Sequence, residues 1–215
     1  HMRASLAPLR ASLKEGTPVV ICSKGIEKGT GKLLSQVVNE TLPQAEAAIL
    51  SGPSFAKDVA IGLPTAVTLA ARTEELAAYL TNAIGLPTFR PYFSDDLIGA
   101  QMGGAIKNVL AIACGIVEGK NLGESARAAL TTRGFAEMVR FGQAMGAKAQ
   151  TIGGLSGLGD LVLTCSSPTS RNMSLGLELG RGKTLEEIMT TRTTVSEGVH
   201  TAPILVELAK RKGVD

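Results

Sequence analysis

Short apolar runs alternate with helical patterns over the first 93 residues. The run 17–23 (TPVVICS) is mostly apolar and rich in β-branched residues, which is typical of a buried strand. Further strands are predicted at 45–50, 64–70 and 88–91, and helices at 4–14, 31–41, 55–60 and 73–84. The alternation predicts an α/β domain, 1–93, with a parallel sheet and helical crossovers.

The pattern becomes helical throughout after residue 93, which predicts a second, all-α domain over 94–215. Its longest apolar helix pattern covers 94–119, followed by helices at 124–145, 170–180, 184 onward and 198–212. Thr184 and Glu187 have the spacing of a capping box. The segment 153–160 (GGLSGLGD) is predicted to be a glycine-rich turn.

One face of the predicted helix 94–119 carries small side chains with a lysine, Lys107, in the middle. Small residues let another backbone or a ligand approach a helix closely. A lysine amine at the floor of such a groove can donate a proton or hold an anion. The alternative is that Lys107 extends to solvent, as most helical lysines do.

Composition excludes several classes of function. A net charge of +3 and 3% aromatic residues, with no Trp, argue against a nucleic-acid partner. Three scattered cysteines (Cys22, Cys114 and Cys165) and two histidines are too few for a structural zinc site, so no metal is expected. We found neither a signal-peptide pattern nor a run of about 18 apolar residues, and expect a cytoplasmic protein with reduced thiols.

Four polar groups are candidates for chemistry, and each has an ordinary structural alternative. Lys24 follows a strand, where open α/β sheets bind ligands, but strand-end lysines are often solvated. Asp160 precedes Thr164 and can orient a lysine or cap a helix. The others are the turn containing Gly52 and Ser54, suited to an anion, and the run Ser170, Arg171 and Asn172, whose arginine suits a phosphate.

The order of these motifs resembles one family closely. SGPSFA, GGAIKNVLAIACGIV, RAALTTRGFAEM, GLSGLGDLVLT with SRN, and VSEGV follow one another as in the bacterial NAD(P)-dependent glycerol-3-phosphate dehydrogenases. The resemblance runs from about residue 17 to residue 214. It implies a partial Rossmann-like sheet followed by a helical domain like that of 6-phosphogluconate dehydrogenase, and a possible homodimer.

The resemblance also implies roles for individual residues. Lys107 matches the family's catalytic lysine, and Asp160 the aspartate beside it. The positions matching substrate contacts are Lys24, Gly52, Ser54, Lys107, Asn108, Asp160, Thr164, Ser170, Arg171 and Asn172. Those matching contacts to the cofactor, NAD or NADP, are Lys24, Ala56, Arg171, Val195 and Glu197.

The implied reaction is hydride transfer between a nicotinamide and C2 of a small phosphate substrate, interconverting dihydroxyacetone phosphate and sn-glycerol 3-phosphate for phospholipid synthesis. A protonated Lys107 would stabilise the developing charge on the C2 oxygen and then protonate it. In the reverse direction its pKa, ordinarily about 10.4, has to fall through burial or a cationic neighbour. Asp160 would oppose that fall and orient the amine.

The chain departs from the family at its start. The family begins with a strand and a GxGxxG loop for the pyrophosphate, and this sequence contains neither. We therefore expect a fragment that is inactive by itself, whose sheet lacks strands. Two alternatives stay open: a related β-hydroxyacid or 6-phosphogluconate-type dehydrogenase, or a helical fragment without activity. The first typically has Asn four residues after the lysine, where this chain has Ala111.

Overall fold

The computed structural model describes residues 2–192 and 196–214. Four strands form one sheet in the order β1-β2-β3-β4. They are β1 (Thr17–Ile21), β2 (Ala45–Ser51), β3 (Thr65–Ala70) and β4 (Phe89–Ser94). The helices of this part are α1 (Met2–Leu6), a 3₁₀ turn (Ala7–Ala11), α2 (Leu34–Thr41), α3 (Ala56–Ala60) and α4 (Glu74–Ile84).

The sheet is mixed, so the expectation of an all-parallel sheet is wrong at one pairing. Strands β1 and β2 are parallel, as are β3 and β4, but β2 and β3 are antiparallel. Parallel neighbours need a crossover element that packs on the sheet. Helices α2 and α4 supply one each, whereas the five-residue α3 buries none of its residues. The β2–β3 connection therefore reverses the direction of the chain at one end of the sheet.

Side-chain alternation along β2 supplies both faces of the sheet. Ile49 packs with Leu34 and Val38 of α2, and Ala48 packs with Leu76 and other residues of α4. Both faces of β2 are thus covered by helices, which explains why its consecutive residues 47–49 are all apolar and buried.

All elements after β4 are helical, as expected. They are α5 (Leu97–Gly119), α6 (Glu124–Ala144), α7 (Ala149–Ile152), a π-helix (Leu155–Gly159), α8 (Asp160–Ser166), α9 (Arg171–Gly180), α10 (Leu185–Thr191) and α11 (Glu197–Lys212). The expected capping box is confirmed, since Thr184 Oγ1 accepts from Glu187 N at 3.2 Å and Glu187 Oε2 accepts from Thr184 N at 2.7 Å. The segment expected to be a glycine-rich turn instead forms the π-helix that leads into α8.

Helix α5 is the centre of this helical part. Asp96 caps it by accepting from Gly99 N at 2.8 Å, so the helix begins at Leu97 rather than at Ser94. Within the described residues it is the one helix that is long and apolar enough to cross a membrane, but 67% of its apolar window is buried inside the protein. Its first turns also reach the sheet through Ala100. The division into domains at residue 93 stays a prediction.

Glycines on α5 and α9 bring the two helix backbones into direct contact. A Cβ atom at Gly115 or Gly119 would lie within 3.0 Å of backbone atoms of α9. A Cβ atom at Gly176 or Gly180 would likewise meet the backbone of α5. On each helix the two glycines are four residues apart, so both lie on the face that contacts the other helix. This close packing determines where the first residue of α9 lies relative to the middle of α5.

We predict that Gly176→Ala lowers the free energy of unfolding by about 3 kcal/mol, because its Cβ would meet the carbonyl of Ile112 and neither backbone can yield cheaply. The matched control is Gly153→Ala. Its Cβ would make only ordinary contacts, the nearest at 3.4 Å, so a stabilisation of about 0.5 kcal/mol is expected. Urea unfolding measures both. Equal effects of the two substitutions would contradict the close packing.

Candidate active site

A buried carboxylate between two lysines forms the centre of the candidate site. Asp160 Oδ1 accepts a hydrogen bond from Lys107 Nζ, and Asp160 Oδ2 accepts one from Lys24 Nζ. The Asp160 side chain is 2% exposed, that of Lys107 is 8% exposed and that of Lys24 is 24% exposed. One negative charge is therefore shared by two positive charges in a largely dehydrated place.

Three separate elements deliver these side chains. Lys24 lies just beyond β1, Lys107 lies in the middle of α5, and Asp160 is the first residue of α8. The π-helix before Asp160 packs directly on α5, because a Cβ at Gly103 would lie within 3.0 Å of Ser156 and Gly157. The charged group therefore depends on a close backbone contact between α5 and the glycine-rich segment.

Gly104 makes room for the Lys24 side chain. A Cβ at this position would lie 3.3 Å from Lys24 Cγ and Cδ and 3.2 Å from Ser51 Oγ. The absence of a side chain thus lets the aliphatic part of Lys24 lie along α5 toward Asp160. This is the groove beside a small-residue face that the sequence predicts.

The environment of Lys107 favours its neutral form. Burial, followed by the positive charge of Lys24, lowers the pKa of Lys107 from 10.5 to about 8, although Asp160 opposes the shift. Burial and a cationic neighbour, the two causes that proton acceptance by Lys107 requires, are therefore both present. An amine with a pKa near 8 is able to give up and take back a proton near neutral pH.

Thr164 lies one turn after Asp160 and completes the lysine's surroundings. Its hydroxyl accepts from Lys107 Nζ at 2.8 Å and donates to the Asp160 backbone carbonyl at 2.6 Å. Lys107 therefore does not extend to solvent, and Asp160 does not cap a helix. Lys24 pairs with Asp160 and is not an ordinary solvated lysine. These three structural alternatives are wrong.

A second polar group is built at the start of α9. Ser170 caps the helix by accepting from Met173 N at 3.2 Å. Arg171, whose side chain is 52% exposed, pairs with Glu197. Asn172 is buried, and its Oδ1 accepts from Gly198 N at 3.0 Å. Helices α9 and α11 are thereby joined at their N-terminal ends.

The two polar groups border the same turn of α5. A Cβ at Gly198 would lie within 3.0 Å of the backbone carbonyl of Asn108, the residue that follows Lys107. Asn108 itself is 4% exposed. The structure thus places the start of α11, and with it Glu197, next to the turn of α5 that carries Lys107.

The turn after β2 lies beside the glycine-rich segment. A Cβ at Gly159 would be 3.5 Å from Pro53, so this turn adjoins the residue before Asp160. Ser54 Oγ donates to the Gly52 carbonyl at 3.1 Å, and Ala56 is exposed on α3. Within the described residues, neither Ser54 nor Ala56 forms a hydrogen bond with the two lysines. Val195, the remaining candidate, lies outside the described residues.

The sequence analysis missed Ser51 and Arg192. Ser51 Oγ is buried, and no hydrogen-bond partner exists for it within residues 2–192 and 196–214. A buried hydroxyl without a partner is costly, so this atom is open to a bound polar group. Ser51 is the last residue of β2, directly before the turn that contains Gly52 and Ser54, and this position was the available signal. Arg192 is held by contacts distant in sequence, which no local pattern reveals.

The described residues hold no cluster of three or more His, Cys, Asp or Glu side chains that fits a metal ion. Cys22, Cys114 and Cys165 are free.

Comparison with known proteins identifies the family. The family model for the NAD-dependent glycerol-3-phosphate dehydrogenase C-terminus matches residues 96–215, and the corresponding N-terminus model matches residues 1–77. The chain belongs to the NAD-dependent glycerol-3-phosphate dehydrogenase family. The resemblance read from the motifs is therefore confirmed.

Individual relatives agree with this family. The chain is 65% identical to a glycerol-3-phosphate dehydrogenase [NAD(P)+] of Parvibaculum lavamentivorans and 61% identical to one of Hyphomonas neptunium. It aligns over all of its own length but spans only 65% and 64% of those relatives. The crystal structure of glycerol-3-phosphate dehydrogenase from Coxiella burnetii superposes with a TM-score of 0.94 at 39% identity, covering 100% of this chain and 66% of that one.

We predict that Lys24→Met raises the pKa of Lys107 above about 8, because the variant removes the positive charge that disfavours its protonation. NMR of isotope-labelled lysine side chains measures this pKa directly. The control is Lys120→Met, since Lys120 is exposed and lies about 20 Å along α5 from Lys107. An unchanged Lys107 pKa in Lys24→Met would show that burial alone sets it.

We predict that Asp160→Asn lowers the free energy of unfolding by about 3 kcal/mol at pH 7, because the buried ammonium group of Lys107 and the partly buried one of Lys24 lose their shared counter-charge. Replacing Lys24 and Lys107 by Met in the same variant should recover most of the loss. As a control, Glu207→Gln breaks the exposed pair with Arg211 and should cost below about 0.5 kcal/mol. Similar costs for both single variants would contradict the buried ion group.

Proposed function

We propose that the complete protein interconverts dihydroxyacetone phosphate and sn-glycerol 3-phosphate, using NAD(P)H as the hydride donor. The observation that carries this proposal is the buried Lys107 amine, held by Asp160 and Thr164 and lowered in pKa to about 8. A small-molecule alcohol–ketone pair needs a group that can both donate and accept one proton at the reacting oxygen. Lys107 has the position and the pKa for that task.

In the reducing direction, negative charge develops on the C2 oxygen of the substrate. The Lys107 ammonium group stabilises this charge and then gives its proton to the oxygen. In the oxidising direction the neutral amine takes the proton from the C2 hydroxyl. Asp160 keeps the amine pointed at one place throughout, and Lys24 adds a second positive charge beside it.

The substrate phosphate and the cofactor both carry negative charge, and Arg171 is the positive group proposed to serve both. Arg171 at the start of α9 presents an exposed guanidinium group, which binds phosphate oxygens through two parallel hydrogen bonds. The fit to NAD or NADP rests on this group together with Glu197 beside it. When bound, the nicotinamide supplies the hydride. Arg171 and Glu197 would hold the cofactor, and Ser170 and Asn172 fix the helix end that carries Arg171.

Three broader parts of the proposal follow from the family alone. We propose a cytoplasmic enzyme, a homodimer, and a product that enters phospholipid synthesis.

The test is to follow NAD(P)H absorbance with dihydroxyacetone phosphate in the complete protein. We expect turnover that Lys107→Ala lowers by about 10³-fold or more, because the proton donor and its charge are both lost. The control is Lys120→Ala at the far, exposed end of α5, which should leave the rate unchanged. Turnover of a hydroxyacid but not of this substrate would instead favour a β-hydroxyacid or 6-phosphogluconate-type dehydrogenase.

A further inference from the structure

Arg192, the residue after α10, is bonded to the first residue of α9. Arg192, whose side chain is 12% exposed, carries this attachment. Its Nη1 donates to the backbone carbonyl of Arg171 at 3.0 Å, and its Nη2 donates to Ser174 Oγ at 2.8 Å. Its Nε donates to Glu178 Oε1 at 3.2 Å. One guanidinium group therefore bonds three residues of α9 simultaneously.

The same carbonyl is held from the other end of the segment. Ser196 Oγ donates to Arg171 O at 3.3 Å. Glu197, the next residue, pairs with the Arg171 side chain. Arg192 and Ser196 thus bond the backbone of Arg171, and Glu197 bonds its side chain.

Only an arginine has the geometry for this attachment. Residues 171, 174 and 178 recur at steps of three and four, so they line one face of α9. A planar fork with five N–H groups can bond several acceptors along that face at once. A lysine would keep the charge beside Glu178, but its N–H groups all leave one nitrogen, so it cannot reproduce the bonds that the three separate guanidinium nitrogens make to Glu178, Ser174 and the Arg171 carbonyl.

We propose that Arg192 is a positioning residue that holds Arg171 where its guanidinium group can bind a phosphate of the bound ligand. The inference rests on the proposed function, in which Arg171 is the phosphate-binding residue. Arg192 touches no ligand itself. It acts by fixing the backbone at the start of α9 and by joining that helix to the segment that precedes Glu197.

Two variants separate positioning from stability. Arg192→Lys keeps a charge for Glu178 and loses the bond to the Arg171 carbonyl. Glu178→Gln loses the ion pair and keeps that bond. In the complete protein, we expect Arg192→Lys to raise the dissociation constant of NADPH, measured by fluorescence titration, and its KM about tenfold, with kcat within twofold. We expect Glu178→Gln to lower the unfolding temperature further than Arg192→Lys does, but to change the dissociation constant less than twofold.

The proposal is supported if Arg192→Lys weakens NADPH binding more than Glu178→Gln does, while Glu178→Gln lowers the unfolding temperature more than Arg192→Lys does. It is overturned if the dissociation constant rises in proportion to lost stability in both variants. Arg171→Ala provides the check on its premise, because an unchanged dissociation constant there removes the assigned role of Arg171 and the inference with it. Absence of dihydroxyacetone phosphate turnover in the unaltered protein overturns the proposed function separately, since NADPH binding is measured without turnover.

Discussion

The site depends on how closely other backbones can approach helix α5. Gly103 admits the π-helix that precedes Asp160, Gly104 admits the side chain of Lys24, and Gly115 admits the backbone of α9. Glycine costs a helix roughly 1 kcal/mol per position relative to alanine. The burial of α5 on several sides offsets that cost, and the result is a rigid support whose neighbours have little freedom to shift. The distances among charged groups are determined by these backbone contacts rather than by flexible side chains.

Electrostatics at the centre follow from that packing. A single carboxylate, Asp160, serves two ammonium groups, so the buried group retains an excess positive charge. The excess resides beside Lys107, whose pKa falls to about 8 because burial and Lys24 together outweigh Asp160. The same excess charge suits a site that receives an anionic substrate and develops negative charge on an oxygen atom during reduction. The environment of Lys107 destabilises the charged form of its amine, and this is why its pKa lies in a range suited to both donating and accepting a proton.

The phosphate-binding end of the proposed site is organised from a different direction. Helix α9 begins at Arg171 and is seated on α5 by matching glycine pairs, so the axial position of Arg171 follows from the α5–α9 contact. The start of α11 reaches the same place through Gly198, which lies against the carbonyl of Asn108. Arg192 and Ser196 both donate to the backbone carbonyl of Arg171, the first residue of α9. The starts of α9 and α11, which are distant in sequence from Asn108, therefore both lie beside the same turn of α5.

The sequence by itself determined most of the order of strands and helices along the chain, the long apolar helix around Lys107, the Thr184 cap and the family, because these depend on local periodicity and on motifs. It did not indicate α7, the π-helix or α8. It also indicated Lys24, Lys107 and Asp160 as separate candidates. Only the tertiary structure decided that one carboxylate joins the two lysines, that β2 and β3 run antiparallel, and that Arg192 bonds Arg171. The reason is physical: strand direction depends on whether a connecting helix packs on the sheet, and long-range polar contacts depend on which backbones glycine lets come together. Neither leaves a periodic signal along the chain.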